Sequence, residues 1–488
     1  MRLLALLAAL FLVAAADPPP PRVAVTGGMI RGEAGGDRLS FRGIPYAAAP
    51  VGERRWRAPA PVIPWRGVRD ARADAPACLQ NNYGWNRTHH VFSSEDCLTL
   101  DVATPALTGR RPVLVWIHGG SNRAGSATGT IASSIVRRGV VLVAVRYRLG
   151  IFGFLSHRGL AREQGGATGN YGLMDQIAAL RWIQANIARF GGDPRNVTIA
   201  GDSAGAQDVG LLLAAPDARG LFHKAAMESG TPGFGLPVRP LEEALRLGDQ
   251  LDDALGGSGG IATLRRASAA SLLAADRGLH DAALTDDDYL WLRATVDGRV
   301  LPADPARLLA QAPARPLLIG SNRFELDLPG GRSRRDAFVA AGFGANEAAA
   351  RRFYGLDQPE PAPDPKLGMR DQQIATDLTF RCPAGRMADL VSAAGAPVWR
   401  YEFDHAAGGG MTRHSAEIRY ILDEQRLGGL HLQDYWLAFL TGGDPNRAGL
   451  PSWPRYDAVA RRHVLFDARG ATPDAALRTE ICGLTEYL

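Results

Sequence analysis

The sequence predicts an α/β fold with a mainly parallel central sheet that is covered by helices on both faces. Short apolar runs rich in β-branched residues alternate with segments of helical periodicity, and this alternation is typical of parallel sheets whose two faces are buried. Neither an internal repeat nor a long low-complexity linker divides the 488 residues. We therefore expect one large domain rather than several.

The alternation is clearest in the first half of the chain. Apolar runs predict buried strands at 112–120, 140–150 and 196–201. Residues 173–192 carry apolar side chains three to four positions apart and end at a glycine pair, which predicts a helix with one buried face. A further helix is expected to begin in the apolar stretch beyond Gly205.

The pattern G-x-S-x-G occurs twice, at 201–205 and at 256–260. The first match lies between a predicted strand and a predicted helix, the setting in which this pattern presents a nucleophilic serine on a tight turn. The second match follows an amphipathic helix at 240–255 and has no strand before it, so it indicates a glycine stop and a flexible loop. Ser203, and not Ser258, is the predicted nucleophile.

A serine hydroxyl becomes nucleophilic at neutral pH only with a histidine base, an acid that orients the histidine, and N–H donors for the oxyanion. In hydrolases with this serine turn, the acid and then the histidine follow the serine along the chain. A predicted strand at 316–320 is followed by Glu325 and Asp327, and a later one is followed by His405 and His414. Spacing alone chooses neither the acid nor the base.

Composition excludes several other classes of protein. The chain is 46% hydrophobic and 22% charged, as expected of a globular protein. Its formal net charge is +5 and its pI is about 9.1, but the arginines are scattered, so we expect no nucleic-acid partner. Four cysteines suit an oxidising compartment. Because Cys78 and Cys97 bracket a short loop, we expect a local pair and a distant pair, with free thiols as the alternative.

The first residues predict export. Arg2 precedes an apolar run at 3–13 and a small-residue stretch at 14–16, the pattern of a secretory signal peptide. Eleven apolar residues are too few to span a bilayer, although a retained anchor helix is the alternative. The expected mature chain, residues 17–488, is therefore secreted or periplasmic and makes no stable membrane insertion.

Several long segments resemble the type-B carboxylesterase and cholinesterase family, whose members have the α/β-hydrolase fold. The resemblance runs from about residue 23 to residue 456. It is carried by the segments FRGIPYAAAPVGERRW (41–56), SEDCLTLDVATP (94–105), VWIHGGSNRAGS (115–126), RYRLGIFGFL (146–155), GNYGLMDQIAALRWIQANIARFGGDPRNVTIAGDSAGA (169–206), RHSAEIRY (413–420) and WLAFLTGGDPN (436–446).

The resemblance implies a choice of acid and base. The family's glutamate follows a strand-ending glycine by five positions, which matches Glu325, although its flanking residues Phe324 and Leu326 differ from the usual ones. The family's histidine lies in a segment similar to HSAEI, which selects His414. Glu417 in that segment is expected to be structural.

The resemblance also implies the oxyanion donors, which are the backbone N–H groups of Gly120, Ser121 and Ala204. Ser121 departs from the family pattern, in which a third glycine is usual. A side chain there costs energy if the residue needs a positive φ, so the geometry of the oxyanion site is open. Cysteine positions match as well, which implies the pairs Cys78–Cys97 and Cys382–Cys482.

Two further residues have weaker implications. Asp202 stands where many relatives carry glutamate, close enough to tune the pKa of the histidine, with a purely structural hydrogen bond as the alternative. Trp85 lies in the first cysteine loop, where cholinesterases hold a cation by a ring face, but a packing role is the commoner one.

The predicted function is therefore that of a secreted serine carboxylesterase acting on small esters through an acyl-enzyme, without cofactor or metal. The alternatives are a lipase, a cholinesterase-like hydrolase, and a non-catalytic adhesion or binding member of the family. Helical cap segments around 221–310 and 330–395 are expected to form the approach to Ser203. The particular ester and the oligomeric state remain open.

Overall fold

A central sheet runs through the molecule, and the three predicted catalytic residues follow the carboxyl ends of its strands. The computed structural model describes residues 19–257, 260–284, 287–328 and 331–485. The predicted signal peptide, residues 1–16, and Ser258 lie outside the described residues.

The described strands, in chain order, are β1 (Arg22–Val25), β2 (Gly28–Arg31), β3 (Glu33–Gly35), β4 (Arg38–Pro45), β5 (Val68–Asp70), β6 (Ala77–Cys78), β7 (Ser93–Ser94), β8 (Thr99–Thr104), β9 (Arg111–Ile117), β10 (Val141–Val145), β11 (Gly192–Asp202), β12 (Lys224–Glu228), β13 (Arg239–Pro240), β14 (Thr295–Val296), β15 (Leu317–Asn322), β16 (Val398–Asp404), β17 (Arg426–Leu427), β18 (Leu430–His431), β19 (His463–Asp467) and β20 (Gly470–Asp474).

The described α-helices are α1 (Arg87–Val91), α2 (Gly150–Phe154), α3 (Arg158–Glu163), α4 (Tyr171–Asn186), α5 (Ala204–Ala214), α6 (Leu241–Ala254), α7 (Gly260–Arg266), α8 (Ala269–Asp276), α9 (Pro305–Leu309), α10 (Gly331–Phe343), α11 (Glu347–Tyr354), α12 (Arg370–Thr376), α13 (Cys382–Ala393), α14 (Ile418–Leu422), α15 (Leu432–Gly442) and α16 (Thr479–Cys482). A π-helix, Asp377–Arg381, joins α12 to α13. Short 3-10 helices lie at Gly52–Arg54, Thr130–Ala132, Ser134–Arg138, Ile187–Phe190, Pro216–Ala218, Asp287–Tyr289 and Gly344–Asn346.

Eleven of the described strands form one sheet, in the order β20-β19-β16-β15-β12-β11-β9-β10-β8-β4-β3. The strands from β10 to β19 in this order pair in parallel. Antiparallel strands flank this block, with β8, β4 and β3 on one side and β20 on the other. The prediction of a mainly parallel sheet is thus confirmed.

Both faces of the sheet are buried, and the side-chain alternation of the strands shows it directly. In β9, Val113, Val115 and Ile117 pack into one hydrophobic cluster, which also receives side chains from α4, α5 and α13. The alternate residues Leu114 and Trp116 pack into a second cluster with side chains from α14 and α15. Helices therefore cover both faces, as predicted.

The two predicted cap intervals contain the following elements. The interval 221–310 begins with β12, a strand of the central sheet, and continues through α6, α7, α8 and α9. The interval 330–395 contains α10 to α13 and the π-helix. In this second interval, side chains of α10 and α11 pack with those of α16 in a separate hydrophobic cluster, called the cap cluster below.

Two disulfides join Cys78 to Cys97 and Cys382 to Cys482, which is the pairing that the family resemblance implies. The first closes the loop that carries Trp85. The second ties the start of α13, next to the π-helix, to α16 near the carboxyl end of the described chain. Among the described residues, no helix is long and apolar enough to cross a membrane.

Candidate active site

Ser203 occupies a strained turn between a strand and a helix. β11 ends at Asp202 and α5 begins at Ala204, so Ser203 makes the whole connection, with φ 57° and ψ −125°. The glycine that ends the motif is required by close packing, because a Cβ at Gly205 would lie 2.0 Å from the carbonyl oxygen of Ile117. The turn thus presents the hydroxyl at the carboxyl end of the central strands, as a nucleophile turn does.

His414 and Glu325 are bonded to each other. The distance from His414 Nδ1 to Glu325 Oε2 is 2.7 Å, and the His414 backbone N–H donates to the Glu325 carbonyl oxygen at 3.0 Å. The Glu325 carboxylate is buried and also accepts a hydrogen bond from the backbone N–H of Asn322 at 2.7 Å. With Oε2 of Glu325 as the acceptor, the Nδ1 atom carries a proton, and in the neutral ring Nε2 of His414 is then free to accept one.

The two alternatives that spacing left open, Asp327 and His405, have other partners. The carboxylate of Asp327 accepts a hydrogen bond from the side chain of Gln372. The ring of His405 packs edge-on against the rings of Phe403 and Tyr420. The structure therefore pairs Glu325 with His414.

Ser203 and His414 line one cavity of about 650 Å³. The loop after β9 supplies another part of its wall with Gly119, Gly120 and Ser121. The remaining lining residues are Trp85, Arg123, Asp202, Asp288, Tyr289, Leu292, Leu326, Asp327 and Ser415. The wall thus combines the predicted nucleophile and base with apolar and charged side chains.

The three predicted oxyanion donors lie on two segments beside Ser203. Gly120 and Ser121 belong to the loop after β9, while Ala204 is the first residue of α5, where an N–H group has no partner within the helix. The structure pairs none of the three N–H groups with an acceptor among the described residues. Ser121 has φ 58°, so the left-handed conformation that glycine favours is present at the position where this chain carries serine.

Electrostatics at the site favour a charged imidazole. Burial lowers the pKa of His414, but its hydrogen bond with Glu325 and the charges of Glu325 and Asp202 outweigh burial and raise that pKa to about 9. Burial raises the pKa of Asp202 to about 6 against the opposing charge of His414. Asp202 also accepts a hydrogen bond from Ser415 Oγ at 2.5 Å. It is therefore hydrogen-bonded to the neighbour of His414, and its charge acts on His414 itself.

A buried carboxyl behind the pair was expected only to be structural. Glu417 accepts hydrogen bonds from Ser229 Oγ at 3.0 Å and from Asn322 Nδ2 at 2.7 Å. Asn322 also donates to Glu325, so Glu417 contacts the acid through one shared residue. Burial, together with the charges of Glu325 and Asp202, raises the pKa of Glu417 to about 8. The network depends on contacts between distant segments, and no local pattern in the sequence indicates it.

An apolar cluster lies beside the nucleophile. Ala204 packs with the buried side chains of Phe234, Leu292 and Phe380. The Phe380 ring, which the π-helix contributes, has its centroid 5.0 Å from that of His414. No motif in the sequence indicates Phe234, Leu292 or Phe380, and Phe380 lies in a π-helix, which has no distinct apolar periodicity. Trp85, by contrast, is 61% exposed and lines the cavity, and its ring stacks on that of Tyr83, so it does not pack in the buried core.

Comparison with known proteins extends over nearly the whole chain. A model of the carboxylesterase family matches residues 19–484. The chain is 33% identical over 467 residues to the fumonisin B1 esterase of Sphingopyxis macrogoltabida, covering 86% of this chain and 82% of that protein. It is 33% identical over 500 residues to carboxylesterase 3 of Pongo abelii, covering 89% and 85%.

The solved structures agree with the sequence relatives. A PNB esterase superposes with a TM-score of 0.81 at 31% identity, covering 95% of this chain and 99% of its own. The shared architecture is the α/β-hydrolase fold, and the relatives are named for ester hydrolysis. This chain belongs to the carboxylesterase family and is a carboxylic ester hydrolase.

Proposed function

We propose that the protein is a secreted serine carboxylesterase, in which Ser203 is the nucleophile, His414 the base and Glu325 the orienting acid. The observation that supports this most directly is the shared cavity wall, where Ser203 on its strained turn and the Glu325-bonded His414 face one space. The three unpaired N–H groups of Gly120, Ser121 and Ala204 are suited to bind the oxyanion.

In the proposed mechanism, Ser203 Oγ attacks the ester carbonyl carbon while Nε2 of His414 accepts the hydroxyl proton. The tetrahedral oxyanion is stabilised by the three N–H groups. The carbon–oxygen bond to the alcohol then breaks, and His414 returns the proton to the leaving oxygen. Water, deprotonated by His414, attacks the acyl-enzyme in the same way and releases the carboxylic acid and free Ser203. Glu325 stabilises the imidazolium in both halves of the cycle.

Small-chain esters are the proposed substrates. The buried side chains of Phe234, Leu292 and Phe380 fill the space beside Ala204, which leaves little room there for a long acyl chain. The lipase and cholinesterase-like readings predict other selectivities, for long-chain acyl groups and for cationic alcohols. A panel of esters that varies acyl length and alcohol charge separates all three.

Export is the second part of the proposal. Two disulfides suit an oxidising compartment, and residues 1–16 have the composition of a signal peptide. When the full chain is expressed in a bacterial host, we expect the protein in the periplasm or medium to begin at Asp17 by N-terminal sequencing. Recovery of an uncleaved chain in the membrane fraction would favour the retained anchor instead.

The catalytic proposal is tested with a short-chain p-nitrophenyl ester and an organophosphate. We expect the wild type to hydrolyse the ester and to lose activity as the reagent labels a peptide containing Ser203. Ser203→Ala should lower kcat by about 10⁴-fold or more. His414→Ala should do the same, whereas the matched variant His405→Ala should retain activity.

Two outcomes would contradict the proposal. If Ser203→Ala retained activity, the nucleophile would be another residue. If the folded wild type neither hydrolysed the ester panel nor reacted with the organophosphate, but bound a protein surface, the adhesion reading would replace it.

A further inference from the structure

The loop that carries two of the proposed oxyanion donors has an unfavourable backbone. Gly120, Ser121 and Asn122 have φ values of 113°, 58° and 53°, so three consecutive residues have positive φ. Glycine adopts such values freely, but serine does so at a cost, and asparagine at a smaller one. A loop of this kind keeps its shape only when its surroundings hold it.

Three hydrogen bonds of Asn122 fix the conformation of this loop. The residue is fully buried, its Nδ2 donates to Asp208 Oδ1 at 2.9 Å, and its Oδ1 accepts from the hydroxyl of Tyr147 at 3.1 Å. The Asn122 backbone carbonyl also accepts from the N–H of Gly150 at 2.6 Å. One residue, directly after the donor pair, is therefore fixed from three directions.

Asp208 connects this loop to the helix of the third donor. It lies on α5, one helical turn after Ala204, and it is fully buried. Its second carboxylate oxygen accepts from Gln176 Nε2 on α4 at 2.6 Å. Because α5 begins with Ala204, the Asp208 carboxylate that bonds Asn122 of the loop lies on the same helix as the third donor, the N–H group of Ala204.

We infer that Asp208 is a positioning residue for the oxyanion site, which through the Asn122 amide sets Gly120 and Ser121 at a fixed distance from Ala204. The inference rests on the proposed function of these N–H groups. Asp208 does not touch the substrate in this role. It aligns donors on two separate segments, and alignment of such donors affects the transition state more than the bound ester.

The test is a double-mutant cycle with Asp208→Asn, Asn122→Gly and the double variant. Asp208→Asn keeps the size of the side chain but replaces one acceptor oxygen by an amide donor, so it cannot accept from both Asn122 and Gln176. We expect kcat for a p-nitrophenyl ester to fall about tenfold or more, with KM changed by less than about threefold. Affinity for a trifluoromethyl ketone, which forms an oxyanion on Ser203, should fall in parallel with kcat.

The cycle shows whether Asp208 acts through Asn122. Asn122→Gly removes the side-chain amide that bonds Asp208 and should also lower kcat. The kcat of the double variant should then be no lower than that of the poorer single variant. The buried aspartate Asp297, which accepts from the backbone N–H groups of Leu301 and Arg299, provides the matched control. Asp297→Asn should alter thermal stability without lowering ketone affinity relative to substrate affinity.

Two results would overturn the inference. One is unchanged kcat and ketone affinity in folded Asp208→Asn, and the other is a double variant in which the two single losses multiply. Failure of the proposed function is distinct from either result, because the wild type would then fail to hydrolyse the ester or to react at Ser203.

Discussion

Ser121 shows how one side chain can alter a site without removing any of its groups. Its backbone N–H is a proposed donor, and its φ of 58° places the side chain in a conformation that costs L-residues roughly 1–2 kcal/mol. The family resemblance marked this position because glycine is usual there. The structure adds the reason that the substitution matters, which is the sign of φ.

Two substitutions at Ser121 should differ in their consequences. Ser121→Gly relieves the backbone cost but increases the entropy of the unfolded chain, so we expect the free energy of unfolding to change by less than about 1 kcal/mol and kcat to be retained. Ser121→Val places a β-branched residue at positive φ, and should lower both the free energy of unfolding, by about 1–2 kcal/mol, and kcat. Urea denaturation and kcat for a p-nitrophenyl ester are the measurements. Equal behaviour of the two variants would show that φ is unimportant here.

The pH dependence of activity should report the charge of Asp202. Catalysis needs neutral His414, whose pKa is raised to about 9 in part by Asp202, so kcat/KM should rise with pH and its midpoint should lie above 6.5. Asp202→Asn keeps an acceptor for Ser415 but removes the charge. We expect the midpoint to move to lower pH, by on the order of half a unit.

The matched control for this shift is Asp327→Asn, since Asp327 lines the same cavity but accepts its hydrogen bond from Gln372. Its midpoint should stay close to that of the wild type. A midpoint that is unmoved or raised in Asp202→Asn would show that this carboxylate does not tune the base.

At the scale of elements, local periodicity in the sequence correctly predicted strands and helices near Ser203. The strand predicted at 196–201 and the helix predicted at 173–192 correspond to the end of β11 and to α4 with its 3-10 extension. Periodicity could not choose between His405 and His414, because the loop after β16 can have any length, and only the family motif chose. The contact between Asn122 and Asp208 joins residues 86 positions apart, so no local pattern predicts it.

The π-helix is an element that affects the site directly. Its wider turn brings Phe380 against His414, and the same ring packs edge-on against Phe234, with centroids 5.6 Å apart. π-Helical turns occur frequently at functional sites. The segment thus contributes Phe380 to the apolar cluster beside Ala204 and His414, while its charged residues Arg381 and Asp377 bond to each other.

Truncation of Phe380 should broaden the range of acyl chains. Phe380→Ala leaves a void beside Ala204 and His414, so we expect the ratio of kcat/KM for an octanoyl ester to that for an acetyl ester to rise severalfold. The free energy of unfolding should fall by about 3–5 kcal/mol. Phe343→Ala removes a ring of equal size that is buried with Tyr354 in the cap cluster, and should cost similar stability without changing the ratio. A change of the ratio in both variants, or in neither, would contradict this role of Phe380.

For the whole molecule, the buried ionisable groups should make stability fall over the same pH range in which activity rises. Burial raises the pKa of Asp208 to about 7 and that of Glu417 to about 8, and both groups cost stability as pH rises, because the unfolded chain releases these protons first. The raised pKa of His414 acts in the same direction. Burial lowers the pKa values of His118 and His463 to about 4, so stability falls again as pH drops from about 6.5 to 4. The folded state should therefore be most stable below about pH 6, which is also below the pH at which His414 is neutral.

Glu417→Gln isolates one of these contributions. In the wild type, Glu417 is protonated up to a pKa of about 8 in the folded state, whereas the unfolded carboxyl ionises near its ordinary value, so its contribution to stability is lost between about pH 4.5 and 8. The variant cannot ionise and should gain stability relative to the wild type across that interval, by on the order of 2–4 kcal/mol in the free energy of unfolding. Urea denaturation of both proteins at pH 5, 6.5 and 8 measures the difference. Glu347→Gln, at the first residue of α11, is the matched control for the loss of one carboxyl group outside the buried network. If the difference between Glu417→Gln and the wild type were constant with pH, Glu417 would be ionised in the folded protein, and the opposition between activity and stability would rest on the other buried groups.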